Sequence, residues 1–495
     1  MTIASDISSG SRTGSQLASA WPPIIGLIVY ADLLFTGTGL LKDGDTYWHI
    51  AVGRFIIGQH AIPFHDPFSY TMSGALWSSH EWLSEIALAF VYDAMGWHGV
   101  ILLTALCAAL AFVVLARTLL RFLEPIYAVL AVVAALLMGH VLARPHSLAL
   151  PLLALWVAGL VEARAQDRVP SKWMLPIMVV WANLHGGFTL GLLLAALFAG
   201  EAAINASAST RRTVILHWGA FGALSLLASM ATADGPSGLY FSAHVGSSNA
   251  TMAWIDEWRS LNFQTLQPME LWLFGALFGG LTLGIRLPWT RVAMLLILIH
   301  LGLAHVRFVE LTGLLGPLIV AAPLGSELRR LTSEAPLALR LRPGAASIPL
   351  NTVTTVACAL AAVAVTFVSS AYPLERADDH VTPASALAAV RQLHLGGNLL
   401  NAMQFGGYLI FEGIPLFIDS RTDMYGDDFL QAFVDATLIK DETLPDLLQR
   451  YDIQWTLFPA DGHTVGVLDH MAGWKRIYAD NTAVVHIRTA AVNRP

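Results

Sequence analysis

Charge is scarce in this chain. Of its 495 residues only 13% are Asp, Glu, Lys or Arg, while 55% are hydrophobic. A soluble domain carries about 25% charged residues, so a water-covered globule of this size is excluded. A multi-spanning membrane protein remains, and the mean hydropathy of +0.59 agrees. Cysteine is nearly missing. Cys107 and Cys358 both lie in apolar segments, which argues against a disulfide framework and a Cys-based zinc site. The net charge of −7 leaves no basic footprint for nucleic acid. The first 20 residues hold one cation, Arg12, and lack a basic start and a cleavage site. They read as a disordered cytoplasmic tail. No internal repeat at fixed period is visible.

What is abundant is apolar sequence. About eleven segments stand out, at 21–41, 99–118, 124–143, 145–161, 173–185, 187–204, 214–231, 269–287, 289–304, 308–324 and 351–372. Several are shorter than the roughly 20 residues of a normal span, and 173–204 reads either as two crossings or as one broken helix. Glu81–Met95 is apolar but carries Glu81, Glu85 and Asp93, and it reads as an interfacial helix. With the N-terminus cytoplasmic, the outer loops hold Lys42, Arg54, Arg144, Arg259 and Arg307. The inner loops hold the larger share, including Arg117, Arg121, Arg164, Arg168, Arg211, Arg212, Arg329 and Arg330. The positive-inside rule favours that orientation, and with it two crossings between 173 and 204.

After the last span, 373–495 changes character. Ala384–Leu393, Phe429–Leu438 and Leu444–Tyr451 read as helices; Leu416–Ile418 and Gln454–Phe458 read as strands. Trp474–Tyr478 and Ala483–Arg488 read as a hairpin turning at Asp480-Asn481. The expected fold is therefore mainly α: a polytopic helical bundle over 21–372, with a first outer loop at 42–98 and a small α/β extracytoplasmic domain at 373–495.

The polar residues gather on the outer face of this threading. The stretch Asp43-Gly44-Asp45-Thr46-Tyr47-Trp48-His49 directly follows the first span. The same loop carries Arg54, His60, His65, Asp66, His80 and Glu81. Arg144-Pro145-His146, Asn183-Leu184-His185-Gly186-Gly187, Asp256-Glu257-Trp258-Arg259 and His305-Val306-Arg307 fall at other outer ends. Cations and carboxylates at one membrane level suit a substrate with a lipid tail and a charged headgroup. Plainer roles exist for each piece. Arg144, His146 and Arg307 are placed to snorkel; His185 is placed to bond a neighbouring helix; His60, His65 and Asp66 flank Pro63 and Pro67 in what reads as a solvated loop. Asp419-Ser420-Arg421-Thr422-Asp423 follows a strand-like segment and reads either as a ligand-contacting loop or as a salt-bridged turn. Gly406-Gly407-Tyr408 is too short for a phosphate-binding loop and reads as a helix start. Asp43, Asp45, His80 and Glu81 offer ligands to a divalent cation, but in no known zinc spacing.

Asp45-Thr46-Tyr47-Trp48-His49-Ile50, followed by Gly53-Arg54 and Asp66-Pro67-Phe68, resembles the first-loop acidic motif of the GT-C superfamily. These are integral-membrane glycosyltransferases, among them oligosaccharyltransferases and protein mannosyltransferases. His80-Glu81-Trp82-Leu83, Asn183-Leu184-His185-Gly186-Gly187-Phe188 and Ile418-Asp419-Ser420-Arg421 resemble an uncharacterised bacterial multi-pass group more closely. The chain lacks the Trp-Trp-Asp-type motif of oligosaccharyltransferases and the Asp-x-His-Pro-Pro pattern of mannosyltransferases.

The resemblance implies inverting sugar transfer from a polyprenyl-phosphate donor to a glycan or lipid acceptor, in a bacterial inner membrane with the C-terminal domain periplasmic. By it, Asp45 is the first choice of base, Asp43 the second, and Glu81 a third catalytic acid. His49, His80, Arg144, His146, Asn183, His185, His305 and Arg307 become substrate-binding candidates. No cofactor is implied beyond a candidate divalent metal. A polysaccharide polymerase or ligase, and a transporter of lipid-linked solutes, are the competing readings.

Overall fold

The computed structural model describes residues 3–244, 256–333, 351–372, 374–440 and 442–489. All eleven apolar segments carry helix. In chain order the helices of the membrane part are α1 (Ile3–Phe35), α2 (Asp45–Gln59), α3 (Trp82–Phe122), α4 (Pro125–Leu137), α5 (Pro145–Ala165), α6 (Met174–Leu184), α7 (Phe188–Asn205), α8 (Arg211–Ser229), α9 (Pro236–His244), α10 (Pro268–Thr282), α11 (Trp289–Ala304), α12 (Val309–Ser333) and α13 (Thr352–Ser370). Five stretches among the described residues are long and apolar enough to cross a membrane: α3, α5, α7, Val306–Leu331 and α13. Ser19–Phe35, α4, α6 and α11 are apolar but shorter. The chain is a polytopic membrane protein.

Local chemistry sets several boundaries. Proline, which has no N–H to lose, opens α4, α5 and α10. Gly96, at φ 59°, kinks α3, so the expected interfacial helix and the following span are two arms of one element. His185 is extended and ends α6. The chain then folds back, because a Cβ on Gly191 of α7 would lie 2.5 Å from the Trp181 ring of α6. The segment 173–204 is therefore two helices. Backbone is helical from Ile3 through Pro22 and Pro23 to Phe35. Residues 1 and 2 lie outside the described residues. Glu201 of α7 and Arg291 of α11, both buried, pair at 2.7 Å, and Arg291 Nη1 donates to the Ile319 carbonyl at 2.8 Å. A charge at that depth needs such partners.

The C-terminal domain carries a four-stranded sheet in the order β1-β2-β4-β3. Its strands are β1 (Asn398–Asn401), β2 (Ile453–Pro459), β3 (Trp474–Ala479) and β4 (Ala483–Arg488). β1 and β2 run parallel; β4 is antiparallel to both β2 and β3. The β3–β4 hairpin turns as the sequence suggests, with Asp480 Oδ1 accepting the Thr482 and Ala483 N–H groups at 2.7 Å each. Leu416–Ile418 is not a sheet strand. Its backbone partners are the Asn401 side chain, which bonds Phe417 N at 2.9 Å and Ile418 O at 2.8 Å, and the first loop, through Ser69 and Thr71. β1 takes the sheet position beside β2 instead.

This contact shows how the two halves meet. Tyr47, Trp48, Val52 and Ile56 of α2, and Trp77 of the first loop, share one apolar core with Leu399, Leu409, Phe417 and Leu457 of the C-terminal domain. At its centre is a buried guanidinium. Arg421 bonds Asp419 through Nε (2.9 Å) and Nη2 (2.7 Å), and Asp66 through Nη1 (2.9 Å). Its plane lies over the rings of Trp77 and Phe68. Asp66 is thus buried, contrary to the solvated loop expected for it, because it also accepts the Phe68 and Ser69 N–H groups. His60 and His65 are exposed. Replacing Arg421 by Met would leave two buried carboxylates uncompensated, and breaking a buried pair in this way costs about 3–5 kcal/mol. The expected outcome is a markedly lower unfolding midpoint in detergent, whereas Arg488→Met, on an exposed pair, should leave the midpoint nearly unchanged.

Candidate active site

The turn 43–45 is held from both sides. Asp43 Oδ1 accepts the Asp45 N–H at 2.8 Å and shapes the entry into α2. Thr46 Oγ1 donates to the Ala143 carbonyl at 3.0 Å, and Ala143 N donates to the Leu40 carbonyl at 2.8 Å. These bonds bring Arg144, distant in sequence, against the turn. Arg144 reaches Asp45 Oδ2 at 2.7 Å, Asp43 Oδ2 at 3.0 Å and Glu257 Oε1 at 2.5 Å. Burial opposes its charge, but Asp43, Asp45 and Glu257 outweigh burial and hold the guanidinium ionised beyond its usual range. Burial raises the Asp43 carboxyl above the ordinary range, against the pull of Arg144. Arg144 is therefore engaged by three protein carboxylates in this structure.

The C-terminal domain closes on the same turn. Ser420 Oγ donates to Asp45 Oδ1 and accepts the Trp48 indole N–H at 3.1 Å. The approach needs glycine. A Cβ on Gly407 would lie 2.2 Å from the Gly44 carbonyl oxygen, and one on Gly406 would lie 2.6 Å from the Asp419 Cα. The pair does start a short helix, Gly406–Phe411, as its sequence suggests.

A cavity of about 2100 Å³ opens beside this junction. Asp43, Asp45, His49, His80, Glu81, Arg144, His146, His185 and Arg307 all line it. Two expected site residues do not. Asn183 is buried behind it, accepting the Trp82 N–H (2.8 Å) and donating to the Val179 and Ala231 carbonyls. His305 bonds the Trp258 carbonyl at 2.6 Å. These bonds tie both side chains to the surrounding main chain and indole. Arg307 differs from Arg144: its guanidinium stacks on Trp258 at 4.7 Å, and no carboxylate pairs with it among the described residues. The Asp256 side chain lies outside them. The cavity's apolar wall comes from α5 (Ala149, Leu150, Leu153), α7 (Leu190, Leu193) and α12 (Leu311).

Glu81 sits deeper. His185 Nε2 is 3.6 Å from its Oε1 and His49 Nε2 is 4.0 Å from its Oε2. His49 Nδ1 is 3.4 Å from Glu85 Oε1, and Ser79 donates to Glu85. Burial, and after it Arg144, keeps His49 neutral; burial, and after it Arg307, pulls His185 down to about 3. Burial lifts Glu81. Among the described residues no three His, Cys, Asp or Glu side chains are grouped to hold a metal ion. Asp43 and Asp45 are turned to Arg144, and the His80 ring lies 4.7 Å from that of Phe241, tilted by 51°, so the four candidate ligands do not form a metal cluster. Glu85 and Glu310 also line the cavity and were missed as site residues. Spacing could have found them, since Glu85 is four residues past Glu81 and Glu310 three past Arg307, each on one helical face with it.

No family model matches the chain, and no curated protein does. Among solved structures it is similar to ArnT from Cupriavidus metallidurans bound to undecaprenyl phosphate. The identity is 13% and the TM-score 0.49, over 95% of this chain and 99% of that one. The apo form of ArnT gives 13%, a TM-score of 0.48 and coverages of 95% and 98%. The apo oligosaccharyltransferase of Archaeoglobus fulgidus gives 10%, 0.46, 89% and 69%.

Because Gly407 faces main chain, a Gly407→Ala variant must part the C-terminal domain from the 43–45 turn. Overpacking of this kind costs about 1–3 kcal/mol. A lower unfolding midpoint is expected, while Gly466→Ala, inside a helix where an added Cβ meets nothing within 4 Å, should not lower it.

Proposed function

We propose that this chain is a GT-C-type membrane glycosyltransferase that moves a sugar from a polyprenyl-phosphate donor to an envelope acceptor at the outer face of a bacterial inner membrane. The carrying observation is the cavity itself. It joins an apolar wall from membrane helices to a charged rim closed by the C-terminal domain. A pocket for one small ligand occupies about 300–1,000 Å³; about 2100 Å³ has room for a donor headgroup and an acceptor together. The prenyl chain lies along α5, α7 and α12. Arg307, stacked but without a carboxylate partner among the described residues, meets the donor phosphate and stabilises it as it leaves. The cavity's carboxylates handle the acceptor.

The motif resemblance of the first loop supports the same chemistry. A transporter would call for a charged path through the membrane. Here the buried Glu201–Arg291 pair is closed on itself and leads nowhere. The N-terminus is cytoplasmic and the C-terminal domain periplasmic in this reading.

The test is transfer of labelled sugar from polyprenyl-phosphate donors by the purified protein, with Arg307→Gln beside it. Wild type is expected to transfer, and Arg307→Gln to weaken donor binding about tenfold or more, as loss of a charge-assisted contact worth about 1.5–3 kcal/mol requires. Unchanged affinity in that variant would remove Arg307 from the phosphate.

A further inference from the structure

Asp43 and Asp45 have both carboxylate oxygens engaged. Asp45 places Oδ2 on Arg144 at 2.7 Å and Oδ1 under the Ser420 hydroxyl. Asp43 places Oδ2 on Arg144 at 3.0 Å and Oδ1 under the Asp45 N–H at 2.8 Å. Glu257 is also on Arg144. Protonating any of them would break a charge-assisted bond, the strong kind.

Glu81 is placed differently. Among the described residues no guanidinium lies within 4 Å of it, and two imidazoles approach it, His185 at 3.6 Å and His49 at 4.0 Å. The His185 tautomer is fixed by the backbone. Its Nδ1 accepts the Gly187 N–H at 3.0 Å, so in the neutral ring the hydrogen resides on Nε2, the atom facing Glu81. Gly187 is needed for this, since a Cβ there would lie 2.8 Å from His185 Nδ1. The break between α6 and α7 thus points an N–H toward a cavity carboxylate 3.6 Å away.

We infer that Glu81 is the general base of the transfer, that His185 is its positioning residue, and that Asp45 positions the Arg144–Ser420 junction. The inference rests on the glycosyl-transfer reading above. In the step, the acceptor hydroxyl oxygen forms a bond to the anomeric carbon of the donor sugar. Its proton passes to a Glu81 oxygen. The bond from the anomeric carbon to the phosphate oxygen breaks, and its electron pair leaves with polyprenyl phosphate. His185 Nε2–H holds Glu81 in place and favours its ionised form before the proton arrives.

Burial raises the Glu81 carboxyl, so a base there gives an acid limb above the ordinary glutamate value. Activity falls as pH drops through that limb, because a protonated Glu81 cannot accept. The groups around it are His80 and Glu85 on its own side, Asp45 and His49 of α2, His185, Arg144 and Arg307.

The experiment compares Glu81→Gln, Glu81→Asp, Asp45→Asn, His185→Phe and His185→Gln with wild type. It measures sugar transfer against pH and, separately, binding of labelled polyprenyl phosphate. Glu81→Gln should lose transfer about 10²–10⁴-fold with lipid binding kept, which also shows that it folds, and its residual activity should lack the acid limb. Glu81→Asp should recover part of the rate. His185→Phe should move the limb to higher pH, and His185→Gln, which restores a donor, should move it back. Transfer by Glu81→Gln within about threefold of wild type, with Asp45→Asn inactive, overturns the assignment and returns the base to Asp45. Wild type that binds the lipid but transfers nothing sinks the glycosyl-transfer reading, and this inference with it.

Discussion

The buried guanidinium of Arg421 is the constraint on which the outer half of the molecule depends. It has to be neutralised, and its two carboxylates come from opposite ends of the chain: Asp66 from the first loop, Asp419 from the C-terminal domain. Neither segment closes a core alone. Leu416–Ile418, which cannot join the sheet, spends its backbone bonds on Asn401 and on Ser69–Thr71. The first loop and the C-terminal domain therefore form one body around one core. Ser420, adjacent to Arg421, is carried to Asp45 as a result.

Two arginines of the cavity divide the electrostatic work. Arg144 sits among Asp43, Asp45 and Glu257, and it ties three chain segments into a rigid rim. Arg307 lies over the rings of Trp258 and Phe308, with Glu257 nearby but no carboxylate within ion-pair distance among the described residues. An aromatic platform orients a guanidinium without consuming its donors, so the fork remains available to an anion. Sequence distinguishes these two cations poorly, because both follow apolar segments on the same side.

Much of the fold was legible because period and punctuation carry it. Apolar runs marked the helices, proline their starts, and Asp480-Asn481 the hairpin. The helix break at His185-Gly186-Gly187 was visible, but whether the chain turned back there depended on the packing of Trp181 on Gly191, which no pattern encodes. The strand reading of Leu416–Ile418 failed for the same kind of reason: β-like residues found side-chain and loop partners before they found a ladder. That Asp43, Asp45, Glu81, His185 and Arg307 lie along one cavity was readable from threading alone. The separate fates of Asn183 and His305 were not. Their hydrogen bonds go to carbonyls far away in sequence.

The cavity's position follows from these pieces. Polar residues within a helical bundle are expensive unless they are paired or face water, and this chain keeps them at helix ends and loops: Arg144 before α5, His185 after α6, Arg307 before α12. Such ends meet at one level only if the helices are capped by something that closes over them. The C-terminal domain supplies that cap, and the glycines at 44, 406 and 407 allow its backbone to come close enough. What remains beneath the cap is a space with hydrocarbon on one flank and oriented charge on the other. An amphiphile fits both flanks at once, whereas a purely polar solute would leave α5, α7 and α12 facing water. In the glycosyl-transfer reading proposed above, the lining of the cavity is what favours a lipid-borne substrate, before any particular headgroup is considered.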